Sequence, residues 1–217
     1  MKKYERIFVV GDLHGSYDNL CRHLVDIGFD FKNDLLISVG DLVDRGKKSL
    51  ECIKLLNKPW FKAVRGNHEQ MCIDGMLNHK IRNIHKDERN GGEWFYKLSK
   101  SDQLKIIEQL KELPLYLEIE HKGELIGFVH ANVEQNDWLE FKKSFNKQDI
   151  DDVLLAMNLA LWSRNRFNDQ TGIYRKVKNI DRIYLGHTIV DYPVIKHNCH
   201  FIDTGAYRTG NLTIIEV

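Results

Sequence analysis

The chain has 217 residues, 42% of them hydrophobic and 29% charged, with a formal net charge of +1. That length and balance predict one soluble domain spanning 1–217 that buries its own core, and exclude a low-complexity or disordered chain. So small a net charge creates no field to gather nucleic acid or a membrane surface, so anion binding must come from local clusters.

No apolar run approaches the ~18 residues of a membrane span. Met1-Lys2-Lys3 runs straight into Ile7-Phe8-Val9-Val10, too short for a signal peptide's apolar region. Cys21, Cys52, Cys72 and Cys199 show no C-x-x-C spacing, so free, mostly buried thiols in a reducing cytoplasm are expected, with a monomer as the default state.

The first third repeats strand, glycine-marked turn and helix. Arg6 to Val10 is a β-rich run that ends at Gly11-Asp12-Leu13-His14-Gly15. Ser16 reads as an N-cap for a helix with Leu20, Leu24 and Ile27 on one face, closed by Gly28. Leu35 to Val39 is a second strand, ending at Gly40-Asp41-Leu42-Val43-Asp44-Arg45-Gly46. A helix with Leu50, Ile53 and Leu56 inward follows, broken by Pro59. Trp60 to Val64 is a third strand, ending at Arg65-Gly66-Asn67-His68-Glu69. Two consecutive βαβ units make parallel neighbours with right-handed crossovers. All three polar turns then lie on the sheet edge where open α/β sheets bind ligands.

The stretch from Cys72 to Glu93 is polar and reads as helix plus loop. Ser101 is placed as the cap of a helix burying Leu104, Ile107 and Leu110, with Pro114 beyond its end. Leu115–Glu120 and Glu124–Val129 flank His121-Lys122-Gly123 as a hairpin, ending at His130-Ala131-Asn132. Ile150, Val153, Leu154, Met157 and Leu161 form a helical stripe read as core packing. Trp162-Ser163-Arg164-Asn165-Arg166 is a polar loop. Arg182–Leu185 leads into Gly186-His187-Thr188, and three short strands (193–197, 199–203 and 212–217) end the chain. The fold class is α/β (α+β).

His130 and His187 share the strand-end position of the first three turns. With Asp12, His14, Asp41 and Asn67 they make six nitrogen or oxygen donors. Without a thiolate a structural zinc site is disfavoured, whereas mixed imidazole, carboxylate and amide donors suit catalytic manganese, iron or zinc. Six ligands exceed one open site but divide between two ions, an arrangement used in phosphoryl chemistry. His23, His79, His85, His121, His197 and His200 belong to no such turn and read as surface or core residues.

The three turn sequences resemble the signature motifs of the PPP serine/threonine protein phosphatases, within the calcineurin-like metallophosphoesterase superfamily. Val64 to Met71, Ile202-Asp203-Thr204-Gly205-Ala206 and Gly210-Asn211-Leu212-Thr213 are similar to the bacterial and phage branch typified by the phage lambda phosphatase. The resemblance spans nearly the whole chain and is weakest in the polar middle. It implies two mixed β-sheets packed as a central sandwich flanked by helices. It implies two divalent ions, manganese first, with Asp12 and His14 on one, Asn67, His130 and His187 on the other, and Asp41 bridging.

By the same resemblance a metal-bridging hydroxide attacks phosphorus in line. His68 is the general acid, oriented by Asp44, and Arg45, Arg65 and Arg164 bind phosphate. The implied substrates are phosphoproteins carrying phosphoserine or phosphothreonine, with phosphotyrosine a further candidate. Ala131 stands where eukaryotic members have glycine, and Arg166 competes with Arg164. The rival enzyme is a symmetrical diadenosine tetraphosphate hydrolase, which resembles Val-Ala-Arg-Gly and Gly-Asn-His-Asp where this chain has Asp44 and Glu69. A non-catalytic binding scaffold is the alternative from a different class, opposed by every expected position being filled.

Overall fold

The computed structural model describes residues 4–217. The first sheet is assembled from the two βαβ units. Strands β1 (Arg6–Val10) and β2 (Asp34–Ser38) are linked through α1 (Tyr17–Asp26). Then α2 (Ser49–Lys54) leads to β3 (Phe61–Ala63). β1 pairs parallel with β2 in the register Ile7–Leu35 and Val9–Ile37, and β2 pairs parallel with β3.

A helical segment follows: α3 (Asn67–Gly75), α4 (His79–Lys86), α5 (Glu93–Tyr96) and α6 (Lys100–Lys111). The hairpin β4 (Tyr116–His121) and β5 (Glu124–Val129) starts the second sheet. After α7 (Trp138–Lys143), α8 (Ile150–Trp162) and α9 (Asn165–Asn168) come β6 (Arg182–Leu185), β7 (Val194–Lys196) and β8 (Cys199–Phe201). Finally α10 (Ala206–Thr209) returns the chain to β9 (Ile214–Glu216), antiparallel to β1 at the first sheet. The strand orders are β3-β2-β1-β9 and β4-β5-β6-β8-β7, and both sheets are mixed.

Alternation along the strands explains the layers. Ile7, Val9, Leu35 and Ile37 pack with Ile126, Phe128 and Tyr184 of the second sheet, filling the sandwich. Phe8, Val10 and Leu36 face the other way, onto Leu20, Leu24, Ile53, Ile107 and Leu110 of the helices. Val129, Ile183, Leu185 and Phe201 pack beneath Trp138, Phe141 and Ala160. β1 and β2 read as unbroken apolar runs because both of their faces are covered. The expected α/β sandwich of two mixed sheets is observed.

Local expectations differ in three places. Ser99, not Ser101, caps α6, its hydroxyl accepting from Asp102 N–H at 3.1 Å, and Leu104 is 50% exposed. Ser16 sits at the N-cap of α1 without a side-chain capping bond. In α8 the expected inward stripe is only partly buried: Ile150 is 66% and Leu154 52% exposed, Val153 and Met157 are half-buried, and Leu161 is buried alongside Ala156 and Ala160. Ala131 N–H donates to Ala160 C=O at 2.8 Å, and the small alanine line lets α8 approach that closely where bulkier residues would not. Cys52, Cys72 and Cys199 are buried, Cys21 is half-buried, and all four are free thiols. Among the described residues no helix is long and apolar enough to cross a membrane.

Candidate active site

The turns after β1, β2, β3, β5 and β6 converge, and their backbones are bent to do so. Of eight non-glycine residues with positive φ among the described residues, five are His14, Asp41, Asp44, Arg45 and His187. A side chain in that region is disfavoured by roughly 1–2 kcal/mol, and such conformations cluster at functional sites. The turns also lie in close contact. A Cβ on Gly66 would run into Asp41 Oδ1, and one on Gly186 into Asp12 Oδ1, so only glycine fits at either position.

Asp41 is central. Its Oδ1 lies 3.5 Å from His130 Nε2 and accepts from His68 N–H at 2.9 Å. Its Oδ2 lies 3.3 Å from His14 Nε2 and 4.0 Å from His68 Nε2. The carboxylate thus offers one oxygen to each of two buried donor groups: His14, Asp41 and His68, and Asp41, His130 and His187. Burial alone would raise its pKa, but the histidines around it, His130, His68 and His14, outweigh that and hold it below the usual range, and of the three only His68 has its own pKa raised. Asp12, also buried, accepts from His187 N–H at 3.1 Å. Burial, then the charges of Asp203 and Asp41, push its carboxyl well up.

The imidazole tautomers identify what this cluster fits. His130 Nδ1 lies 2.8 Å from Val39 C=O and His14 Nδ1 2.8 Å from Val43 C=O. His187 Nε2 lies 3.1 Å from Trp162 C=O. A carbonyl only accepts, so each of those nitrogens carries the ring hydrogen and the other nitrogen presents a lone pair. The lone pairs of His130 Nε2 and His187 Nδ1 both point at Asn67 Oδ1, at 2.8 and 2.9 Å. That of His14 lies 3.3 Å from Asp41 Oδ2 and accepts from Arg45, so the unmet acceptors are those of His130, His187 and Asn67. Acceptor against acceptor in a buried site is satisfied by a cation, and backbone carbonyls orienting the far ring nitrogen are typical of metal-ligating histidines. Burial pushes His14 down to about 3 and also lowers His130 and His187, keeping the rings neutral as metal ligands must be. The donor set fits divalent metal.

Beside the cluster, Asp44 Oδ2 accepts from His68 Nδ1 at 2.7 Å. Burial opposes the charged imidazole, but Asp41 and Asp44 raise His68 above its ordinary value. Arg45 donates to His14 Nε2 at 2.5 Å and lies 4.7 Å above the Tyr207 ring. Arg164 is exposed and donates to His187 C=O at 3.2 Å. Arg166 is buried, and its guanidinium donates to Val133, Gln135 and Arg175 carbonyls and to Asn136 Oδ1. Of the two arginines, only Arg164 faces the donor cluster.

Arg65 departs from its expected place. Its guanidinium donates to Lys111 C=O, Leu113 C=O and Gln70 Oε1, so the unsatisfied carbonyls at the end of α6 hold it rather than the donor cluster. The structure gathers Asp12, His14, Asp41, Asp44, Arg45, Asn67, His68, His130, Arg164 and His187, but not Arg65.

Other residues at the site carried no structural role from sequence, Glu69 having served there only to separate substrate classes. Glu69 accepts from the N–H groups of Asp41, Leu42, Val43 and Gly66, stapling one motif turn to another. Burial, then Asp41, raise its carboxyl to about 7. Asp203 lies beside Asp12, within a segment whose sequence carried the family resemblance. Its carboxyl is raised by burial to about 6. His85, Trp94 and Tyr207 touch Asp44 or Arg45. Nothing near His85 or Trp94 in the sequence marks them.

A two-sheet sandwich with oxygen and nitrogen donors converging on one shared carboxylate is a metallophosphoesterase. The chain belongs to the calcineurin-like phosphoesterase family, whose sequence model matches residues 5–191; enzymes of this family are hydrolases that use divalent metals. It is 36% identical to serine/threonine-protein phosphatase 2 of Salmonella typhimurium, over 99% of this chain and 94% of that protein. It is 30% identical to the asymmetrical bis(5'-nucleosyl)-tetraphosphatase PrpE of Halalkalibacterium halodurans, over 95% and 88%. Among solved structures it resembles the cold-active protein-tyrosine phosphatase of a psychrophilic Shewanella, with a TM-score of 0.66, 18% identity, and coverage of 97% of this chain and 75% of that one.

Proposed function

We propose that the protein is a cytoplasmic, metal-dependent phosphoprotein phosphatase that hydrolyses phosphoserine and phosphothreonine monoesters at a dinuclear centre. The observation that carries this reading is Asp41, which offers one oxygen to each donor group beside the His68–Asp44 pair. Asp12 and His14 would hold one ion, Asn67, His130 and His187 the other, and Asp41 both. Bound there, two divalent cations, manganese foremost, supply Lewis acidity that acidifies water and neutralises charge on the phosphoryl oxygens.

The chain's own residues do the rest. Arg164 and Arg45, the latter turning on the Tyr207 face away from His14, hold phosphate oxygens, for which planar guanidinium groups are suited. His68, protonated and fixed through Nδ1 by Asp44, gives its Nε2 proton to the departing seryl or threonyl oxygen.

A phosphatase is favoured over a dinucleoside tetraphosphate hydrolase by Asp44. An alkoxide leaving group needs an acid, and this carboxylate keeps one charged and oriented. Incubating the protein with manganese and either a phosphoserine peptide or diadenosine tetraphosphate separates the readings. Phosphate release from the peptide is expected; cleavage of the dinucleotide to ADP, or to AMP and ATP, with no phosphate from the peptide would overturn it. His68→Asn is expected to lower kcat on phosphoserine by roughly 10²–10⁴-fold, and full turnover would remove its role as the acid.

A further inference from the structure

The helical segment between β3 and β4 holds a second histidine against Asp44. His85 is fully buried, and its Nε2 lies 2.7 Å from Asp44 Oδ2, the oxygen that also accepts from His68 Nδ1 at 2.7 Å. Trp94 Nε1–H donates to the other oxygen, Oδ1, at 2.7 Å. A carboxylate only accepts, so both imidazole nitrogens facing it carry hydrogens.

Across the His85 ring, Nδ1 lies 2.9 Å from the Tyr96 hydroxyl. Burial pushes that hydroxyl up, so it keeps its proton and holds the far side of the ring. Of the two ring nitrogens, Nε2 is the one that donates to Asp44.

Cys72, His85 and Asp44 lie within reach of a common metal. However, Nε2 of His85 is engaged as a donor, and burial holds the Cys72 thiol neutral, so the triad is not a third metal site. Nor is His85 loose packing. Its ring lies so close to Gly92 that a Cβ there would collide with it, and Gly92 N–H donates to His85 C=O at 2.9 Å.

We propose that His85 is a positioning residue for the general acid: sharing Oδ2 with His68, it fixes the plane of the Asp44 carboxylate and draws part of its charge. This rests on the reading of His68 as the acid. A residue acting that way influences only the step in which His68 gives up its proton, whereas a residue that merely fills the core influences every substrate alike.

The test compares wild type, His85→Leu and His85→Gln, with manganese, on a phosphoserine peptide and on 2,4-dinitrophenyl phosphate, whose leaving group departs without a proton. His85→Leu is expected to lose roughly 10–100-fold in kcat on the peptide, the usual range for a residue supporting an active group. KM is expected to hold, and kcat on the dinitrophenyl ester to fall by less than about threefold. His85→Gln, which keeps an N–H beside Asp44, is expected to recover most of the peptide activity. Added to Asp44→Asn, the leucine change should cost little more, as expected for coupled residues.

A second readout needs no turnover. In metal-free protein the NMR signal of the His68 Nδ1 proton should move downfield in His85→Leu and to a smaller extent in His85→Gln, as Asp44 is left to His68 alone or shared with a weaker donor. Equal losses on both esters, undiminished peptide turnover, or an unmoved His68 proton in the folded glutamine variant overturns the assignment while leaving the phosphatase reading intact. Wild type inactive on both esters would remove both together.

Discussion

The donor cluster and the surroundings of Asp44 lie side by side and are built by opposite means. The donors sit at strand ends, where ladder pairing such as Val9–Ile37 and Val129–Leu185 fixes the direction in which each turn leaves the sheet. His85 and Trp94 come instead from α4 and α5, helices of eight and four residues that pair with no strand. Their placement depends on packing: Trp94, Phe95 and Tyr96 against the helical core, and Gly92 beneath the His85 ring. The same carboxylate, Asp44, is reached from both sides. The donor cluster is thus attached to strand ends whose ladder pairing sets their direction, and the surroundings of the proposed acid to helices placed by packing alone.

The sharpest way to break that division is Asp41→Ala. Removing the shared carboxylate should reduce bound manganese at both positions, measured by elemental analysis, and lower turnover by about 10³-fold or more, since several kcal/mol of charge stabilisation is lost. Retention of one full equivalent of metal with substantial turnover would show that the two donor groups are independent. Metal removal tests the same division through stability. At 100 times its Kd a metal stabilises the fold by about 2.7 kcal/mol, and each kcal/mol is worth about 2–4 °C in a chain of this size. Chelation should therefore lower Tm by about 5–10 °C, by the same amount in wild type and in His85→Leu if the metals and the Asp44 surroundings are energetically separate.

Arg164 and Arg166 provide the next contrast. Arg164→Ala should lower kcat/KM on phosphopeptide by roughly 10–100-fold, the loss of a charge-assisted hydrogen bond, with Tm unchanged because the side chain is exposed. Arg166→Ala leaves the buried Val133 carbonyl and the half-buried Gln135 carbonyl without their donor, at about 1–3 kcal/mol for the buried one and less for the other. It should lower Tm by several degrees, with little effect on KM.

These contrasts follow what was legible in the sequence. β1 to β3 and their turns could be read because apolar runs bounded by glycine state both the strand and its end. His130 and His187 could be read because they repeat that position. The α8 stripe could be read only in part: periodicity places apolar residues on a face but does not say which face docks, and the alanines won because they pack closer. Arg65 was expected beside its neighbour Asn67, but the carbonyls at the end of α6, far away in sequence, claim its guanidinium. Glu69 was read as a mark of substrate class, whereas its four backbone hydrogen bonds make it a staple between turns. Aspartate at that position would be one methylene short for the same span.

The smallest expected effect bears most directly on the opening contrast. Trp94→Phe keeps an aromatic ring in the wall of the cavity beside Arg45 and removes only the N–H donated to Asp44 Oδ1. A hydrogen bond to a charged group is worth about 1.5–3 kcal/mol. Trp94 is half-buried, however, so water can replace the lost donor and recover part of that. A fall of about three- to tenfold in kcat on the phosphoserine peptide is expected, with KM, manganese content and Tm unmoved. If the metal content fell with the rate, the two regions would be coupled and the division drawn between them would be wrong. If neither moved, Oδ1 would need no protein donor, and the orientation of the acid would rest on Oδ2 and the two histidines that share it.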